Sequence, residues 1–305
     1  MQHYFIINPA AGQGNAANYI PKIKECFQDK SENYTIYTTR GISDVTGYVR
    51  QIAENTQEEL RFYACGGDGT LSEVVHGAVG FDHVSVGVLP AGTGNDFIRS
   101  FENAHLFQDI NAQINGESVA IDLIQVNQQY SINMLNIGFD CNAAFYAAQY
   151  KKKIKGPLAY LAGVIREFCR KMGSDLTFLI DNEESLSGAY LLCTIANGSF
   201  CGGGFRSSPN ACLSDGLMDI AIVKTLPRLR FLSILPSYRT GKYLGKHIQS
   251  GLVTYRQCKK LEIVSALPLN VCIDGEIFPF TSLKIKNLPK ALRVIVPAGA
   301  LMHNR

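Results

Sequence analysis

The chain has no apolar run near the roughly 18 residues a membrane-spanning helix needs, no Cys-x-x-Cys pair among its nine cysteines, and no large excess of either charge. The first absence confines any work on lipid to the membrane surface. The second, with an odd cysteine count and mostly apolar neighbours, fits a reducing cytosol better than a cross-linked secreted fold. Net charge is +3 and the pI about 8.3. That is too mild for a nucleic-acid binder, where a domain pI above about 9 is expected. None of the six histidines has a His or Cys three or four positions on, so they read as structural. No Lys or Arg precedes the first apolar stretch, residues 4–7, which reads as a strand and not a signal peptide. Internal repeats and low-complexity segments are also missing.

What is present, in 305 residues, is enough for about two domains. Over the first 120 residues, strand patterns at 4–7, 34–38, 62–65 and 84–89 alternate with amphipathic stretches at 16–27, 43–53 and 71–79. This rhythm predicts a parallel α/β sheet, in which ligands bind beyond the carboxyl ends of the strands. Near residue 120 the texture changes. Strand patterns at 119–126 and 130–137 come first, then a helical interval at 143–172. Further strands are predicted at 175–180, 189–195, 218–223, 261–264, 269–273 and 283–285. A C-terminal β-sandwich over 121–291 is expected, following a nucleotide-binding α/β domain over 1–120. The last apolar run, 292–296, fits either part by local pattern.

Gly66-Gly67-Asp68-Gly69-Thr70 stands between an apolar strand and a helical pattern. Bare backbone N–H groups at a helix N-terminus bind phosphate. An aspartate inside such a cradle would repel phosphate unless it holds a metal ion or accepts a proton, which points to phosphoryl transfer. Two more glycine-bearing turns follow strands of the same sheet. Asn8-Pro9-Ala10-Ala11-Gly12-Gln13-Gly14 is one, and its Gly12-x-Gly14-x-x-Ala17 spacing also fits a dinucleotide fingerprint. The second strand ends at Thr38-Thr39-Arg40 without the acidic ribose anchor of an NAD site. The other turn runs from Pro90 to Arg99, where Thr93 offers a hydroxyl and Asn95 or Asp96 can cap the next helix. Three such turns would form one mouth.

In the second half, Asn197-Gly198 and the Gly202-Gly203-Gly204 run mark loops, and Asp215-Gly216 is a plain turn or part of a hard-cation site. Asp274-Gly275-Glu276 is a strong hairpin-turn signal that could also supply a general base. Four lysines at 151–155, ahead of an apolar helical pattern, are a solvated face or an attraction for anionic lipid.

Taken in order, these motifs resemble the bacterial diacylglycerol kinase catalytic-domain family, relatives of sphingosine and ceramide kinases. Asn8 to Gly12, Gly66 to Val74, Pro90 to Arg99, Asn136 to Asp140, Ala196 to Gly198, Gly202 to Gly204, Asp215-Gly216 and Asp274 to Glu276 carry the likeness. It implies an N-terminal domain like that of NAD kinase and phosphofructokinase and a C-terminal β-sandwich. It also implies that the final segment, 292–305, packs back on the first domain, with ATP in the inter-domain cleft. Nucleotide contacts are then expected at Asn8, Pro9, Ala10, Ala11, Gly12, Thr39, Gly66, Gly67, Asp68, Gly69, Thr70, Leu71, Ser72, Thr93, Asn95 and Asp96. Glu276, Asp274 or Asp68 would be the base. A structural magnesium (Mg2+) would use the Asp215 carboxylate with the carbonyls of Cys212 and Leu217. The implied activity is transfer of the ATP γ-phosphoryl group to a lipid hydroxyl, most naturally diacylglycerol, at the inner face of the membrane by a cytoplasmic protein. NAD or a sugar phosphate as acceptor, or a non-catalytic nucleotide- or lipid-binding module, are the competing readings. A homodimer is compatible with the sequence.

Overall fold

Strands β1 (Gln2–Ile7), β2 (Asn33–Thr38), β3 (Leu60–Gly66) and β4 (Val84–Pro90) lie in the order β2-β1-β3-β4, every pair parallel. Every residue of β4, and all of β3 but Arg61, is buried, as expected of parallel strands covered on both faces. Helices α1 (Tyr19–Cys26), α2 (Asp44–Glu54), α3 (Asp68–Ala78) and α4 (Ile110–Ile114) do the covering. Phe5, Ile7, Tyr63 and Leu89 pack with Tyr19, Ile23, Ile110 and Ile114 on one face. Ile6, Phe62, Ala64 and Val86 pack with Val45, Val49, Val74 and Val75 on the other. The computed structural model describes residues 1–28, 31–41, 43–150, 157–170 and 172–303.

The helix expected at 16–27 begins later. Gly12, Gln13 and Gly14 take φ of 60°, 60° and 99° inside a 3-10 segment, Ala11–Asn18, and the α-helix starts only at Tyr19. Beyond β4, a two-residue strand β5 (Phe101–Glu102) pairs with the chain's last strand, as given below.

The second half opens with β6 (Glu117–Val126), β7 (Gln129–Ser131) and β8 (Met134–Gly138). The expected strand at 130–137 is thus cut in two. The N–H groups of Ile132 and Asn133 at the break go to the Asp274 carboxylate instead of to a neighbouring strand. Helices α5 (Phe139–Tyr150) and α6 (Pro157–Phe168) follow; the lysine run at 151–155 lies outside the described residues. Next come β9 (Ser174–Ile180), β10 (Glu184–Ala196), β11 (Met218–Lys224), helices α7 (Arg228–Arg239) and α8 (Tyr243–Gln249), and β12 (Val253–Cys258). Strand β13 (Lys260–Ile273) joins two expected strands across an irregularity between Val264 and Leu269. Strand β14 (Glu276–Val296) absorbs both the 283–285 and the 292–296 patterns.

β9 and β8 each pair with both β10 and β13, which folds this half into a sandwich around Leu135, Ile137, Phe178, Ile195, Ile220, Ile263 and Val271. The first part of β14 pairs with β13. Its last residues run antiparallel to β6 and, at Arg293 and Val294, parallel to β4. One chain segment therefore stitches the α/β sheet to the sandwich. Strand β15 (Leu301–Met302) then pairs with β5. The α7–α8–β12 stretch has no counterpart in the sequence reading. Pro236 interrupts α7, and Leu229 and Leu232 face solvent, so no clean helical stripe marks it.

Candidate active site

The turns after β1, β3 and β4 meet at the carboxyl edge of the sheet. The N–H groups of Ala91 and Gly92 donate to the carbonyl of Gly66 at 2.8 and 3.1 Å. A Cβ on Gly92 would lie 2.4 Å from the Cα of Gly67, and one on Gly12 would lie 2.0 Å from the carbonyl oxygen of Ala91. Contact this close admits only glycine, so these positions are fixed by backbone meeting backbone. Asn8 ties the first turn to the second, its Nδ2 donating to Thr70 Oγ1 at 3.0 Å while its Oδ1 accepts from the Ala10 N–H at 3.1 Å. Helix α3 starts here with Gly67 as its cap and no side-chain cap. Its first-turn N–H groups, those of Gly69 and Thr70 included, have no intrahelical acceptor and face the mouth. Pro9, Ala10 and Thr93 are exposed around it, and the Thr39 N–H is bonded to Ile7. The Leu71 and Ser72 side chains are buried and the Leu71 N–H is bonded to the Gly67 carbonyl, so neither side chain reaches the mouth.

The acids of the site differ in their partners. Asp68 accepts from the Asn95 N–H on Oδ2 (2.9 Å) and from the Asp96 N–H on Oδ1 (2.8 Å). Burial pushes its carboxyl up and these two bonds pull it down. Asp96 does not cap a helix as expected: both its oxygens accept from the Gly203 N–H, at 3.0 and 2.9 Å, and Arg99 stands 3.6 Å away. Asn95 is no cap either. Its side chain closes on its own turn, accepting from the Gly92 N–H and donating to the Gly92 carbonyl. The triple-glycine loop, with φ of 58°, 79° and 120°, is thereby anchored to the α/β half through Asp96.

Asp274 sits at φ 45° in the β13–β14 turn. Its carboxylate accepts from the Ser131 hydroxyl (2.7 Å) and the N–H groups of Ile132 (2.8 Å), Asn133 (3.1 Å) and Met134 (2.9 Å). Burial nevertheless pushes it up to about 6. Glu276, two residues on, is half-buried and has no hydrogen bond or ion pair among the described residues. Its Oε1 lies 4.0 Å from where a Cβ of Gly69 would be, directly over the start of α3. Burial raises its carboxyl, Glu73 raises it further, and His76 lowers it. Glu73 itself accepts from the N–H groups of Ser43 and Val45.

The Asp215 turn lies against β6. Asp215 Oδ1 accepts from the Leu217 N–H at 3.0 Å, while Asp122 takes the N–H groups of Gly216 and Lys290. Among the described residues no three His, Cys, Asp or Glu side chains gather as metal ligands. A carboxylate with two backbone carbonyls, the set expected at Asp215, Cys212 and Leu217, is outside that kind of cluster. Its hard-oxygen chemistry suits magnesium.

One acid the sequence reading did not single out is Asp140, at the start of α5. Burial of its carboxyl beside Tyr238, whose hydroxyl donates to it at 3.4 Å, pushes it up to about 7. The Asp96–Gly203 link was also missed. Nothing local in the sequence marks it, because Asp96 stands directly before the 3-10 segment Phe97–Ser100 and reads as its cap.

An α/β sheet with three fused glycine turns, faced by the hairpin of a β-sandwich, defines a two-part kinase. The description "Diacylglycerol kinase catalytic domain" matches residues 2–126, and "YegS C-terminal NAD kinase beta sandwich-like domain" matches residues 133–296. The chain belongs to this family of lipid kinases. A Pseudomonas aeruginosa relative described as "Probable lipid kinase YegS-like" is 33% identical over 78% of this chain and 76% of its own. A diacylglycerol kinase of Bacillus subtilis is 25% identical over 96% and 95%. A crystal structure of a diacylglycerol kinase from Bacillus anthracis superposes with a TM-score of 0.68 at 20% identity, covering 97% of each chain, and shares the fold.

Proposed function

We propose that the protein transfers the γ-phosphoryl group of ATP to the hydroxyl of diacylglycerol, giving phosphatidic acid. The observation that carries the reading is Glu276: a raised carboxylate without a hydrogen-bond or ion-pair partner among the described residues, held over the N-terminus of α3. Phosphate would lie on the free N–H groups at the start of α3, those of Gly69 and Thr70, with residues 8–12 and the rest of 66–72, Thr39, Thr93, Asn95 and Asp96 around the nucleotide. Glu276 would accept the proton of the attacking hydroxyl as the phosphoryl group moves in line. Asp274 holds the turn that aims Glu276, and Asp68 holds the β3 and β4 turns in one cradle. Magnesium bound with the nucleotide would neutralise charge that develops on the phosphates. A second, structural magnesium would sit on the Asp215 turn with the Cys212 and Leu217 carbonyls. Chelation should then lower the Tm of the wild type more than that of Asp215→Asn; equal shifts would remove the site.

Incubating the protein with labelled ATP and a total lipid extract, followed by thin-layer separation, tests the acceptor. Label migrating with phosphatidic acid is expected. Label on another lipid would change the acceptor, label on added NAD or a sugar phosphate would change the reaction, and ATP binding without transfer would leave a non-catalytic module.

A further inference from the structure

We infer that His76 is a positioning residue for the proton acceptor: its neutral imidazole joins helix α3 to β7 and so sets Glu276 over the phosphate cradle. The inference rests on the function proposed above for the role of Glu276, and extends it to a residue whose side chain does not line the mouth. Two main-chain groups fix the ring. Nδ1 lies 2.8 Å from the Ser72 carbonyl, which can only accept, so Nδ1 carries the hydrogen. Nε2 lies 3.1 Å from the Tyr130 N–H, which can only donate, so Nε2 presents its lone pair. Both bonds exist together only in the neutral, Nδ1-protonated ring. A half-buried histidine thus links the α/β half to the β half.

What lies at each end gives the link its purpose. On one side is α3, whose first N–H groups face the mouth. On the other, Tyr130 precedes Ser131, whose hydroxyl donates to Asp274 at 2.7 Å, and the N–H groups of the next three residues go to the same carboxylate. Asp274 holds the turn that carries Glu276. Breaking the link at His76 frees residues 130–134, Asp274 and Glu276 to shift together against α3. A second partner makes the ring sensitive to protonation: Gln129 Oε1 stands 3.0 Å from the same Nε2. An imidazolium would donate to that oxygen and turn a hydrogen toward the Tyr130 N–H, so the main-chain bond is lost. Around the ring stand Glu276 of β14, Glu73 one turn back on α3, and Tyr130, edge-on at 5.6 Å. Arg50 of α2 donates to the His76 carbonyl at 3.0 Å. Strands β3 and β4 meet α3 with apolar side chains, Phe62, Ala64 and Val86 among them.

Activity should then need two deprotonated groups, Glu276 as acceptor and His76 as link. The test is the pH profile of kcat, measured with whichever acceptor takes label in the lipid assay. On the acid side, log kcat of the wild type should climb with pH at a slope of about two. His76→Ala should lose about 10- to 100-fold in kcat at pH 8, with the KM for ATP unchanged. His76→Gln puts an amide oxygen in reach of the Tyr130 N–H and does not titrate. It should recover most of that loss, with the acid slope reduced to about one. Equal slopes in wild type and the glutamine variant, or an alanine variant with wild-type kcat, would overturn the proposal. A second measurement needs no reaction. Nitrogen NMR of isotope-labelled histidine should show His76, identified by its loss in His76→Gln, as the Nδ1-protonated neutral ring at pH 8. Its titration should shift the Tyr130 amide. Any other tautomer refutes the link whether or not lipid is phosphorylated. The expected tautomer in a protein that transfers no phosphate would instead refute the proposed function and leave the link standing.

Discussion

The α/β half and the β half of this molecule use their acids differently. In the α/β half, Asp68 and Asp96 spend their oxygens on backbone N–H groups of a neighbouring turn and serve as ties. In the β half, one hairpin turn carries two acids of opposite kinds. Asp274 is saturated by four donors, while Glu276 has none among the described residues. A carboxylate beside glycine in a phosphate cradle is therefore not reactive on that account. On the function proposed above, its partners separate an anchor from a base, which makes Asp68 a tie and Glu276 the proton acceptor.

The sharpest way to break that contrast is Glu276→Gln against Asp68→Asn. The glutamine variant should lose roughly 10²- to 10⁴-fold in kcat, with its Tm and its KM for ATP close to wild type. Asp68→Asn leaves a side-chain NH2 facing a backbone N–H, so it should raise the KM for ATP and lower the Tm together. Reversed outcomes, with the chemistry lost at Asp68 and kept at Glu276, would reverse the roles. Next in size is Asp274→Asn, whose amide must turn its NH2 toward the Ile132 N–H or toward the Ser131, Asn133 and Met134 group. Urea unfolding should show a loss of about 2–3 kcal/mol, as for a broken hydrogen bond to a buried charged group. A variant as stable as wild type would mean that Asp274 is not an anchor.

The same contrast explains what the sequence makes legible. The parallel sheet and the three glycine turns are readable because buried strands, helical spacing and turn glycines are local signals. The sandwich is readable strand by strand but not in its joints. Nothing local reveals that 261–264 and 269–273 are one strand, or that β14 runs from the Glu276 hairpin back to β4. Similarly, the Asp-Gly-Glu motif names three residues but not their division of labour, because the donors to Asp274 come from residues 131–134, about 140 positions away. Helix α7 escapes notice because Leu229 and Leu232 project outward, blurring the apolar stripe that betrays a helix.

A smaller effect tests whether the cradle depends on backbone contact in the way that the acids imply. Gly92→Ala would drive a Cβ to 2.4 Å from the Gly67 Cα, where backbone must move. Overpacking of this kind costs about 1–3 kcal/mol, and the displaced turn should raise the KM for ATP while leaving the Glu276-dependent kcat largely intact. Gly41→Ala, which meets nothing within 4 Å, is the control and should be nearly silent. Equal effects at the two glycines would show that turn contact does not position the cradle.

The smallest expected effect concerns Asp140, which belongs to neither class, since it is buried like an anchor but has few donors. Its folded-state carboxyl is raised to about 7 from an ordinary value of 3.8. A group raised on folding contributes stability in its protonated form, fully present below the unfolded value and lost as pH rises through the folded one. Asp140 should therefore favour the folded state at pH 5 and cost it stability by pH 8. Asn keeps the size and removes the titration; its amide oxygen can serve only one of the Tyr238 hydroxyl and the Cys141 N–H, a cost that does not change with pH. Asp140→Asn should gain about 1–2 kcal/mol on the wild type between pH 5 and pH 8, read as a Tm difference that widens with pH. Asp274, also raised by burial, is present in both proteins and cancels from that difference. A Tm difference constant across the range would mean that Asp140 stays ionised, held by donors as the anchors are.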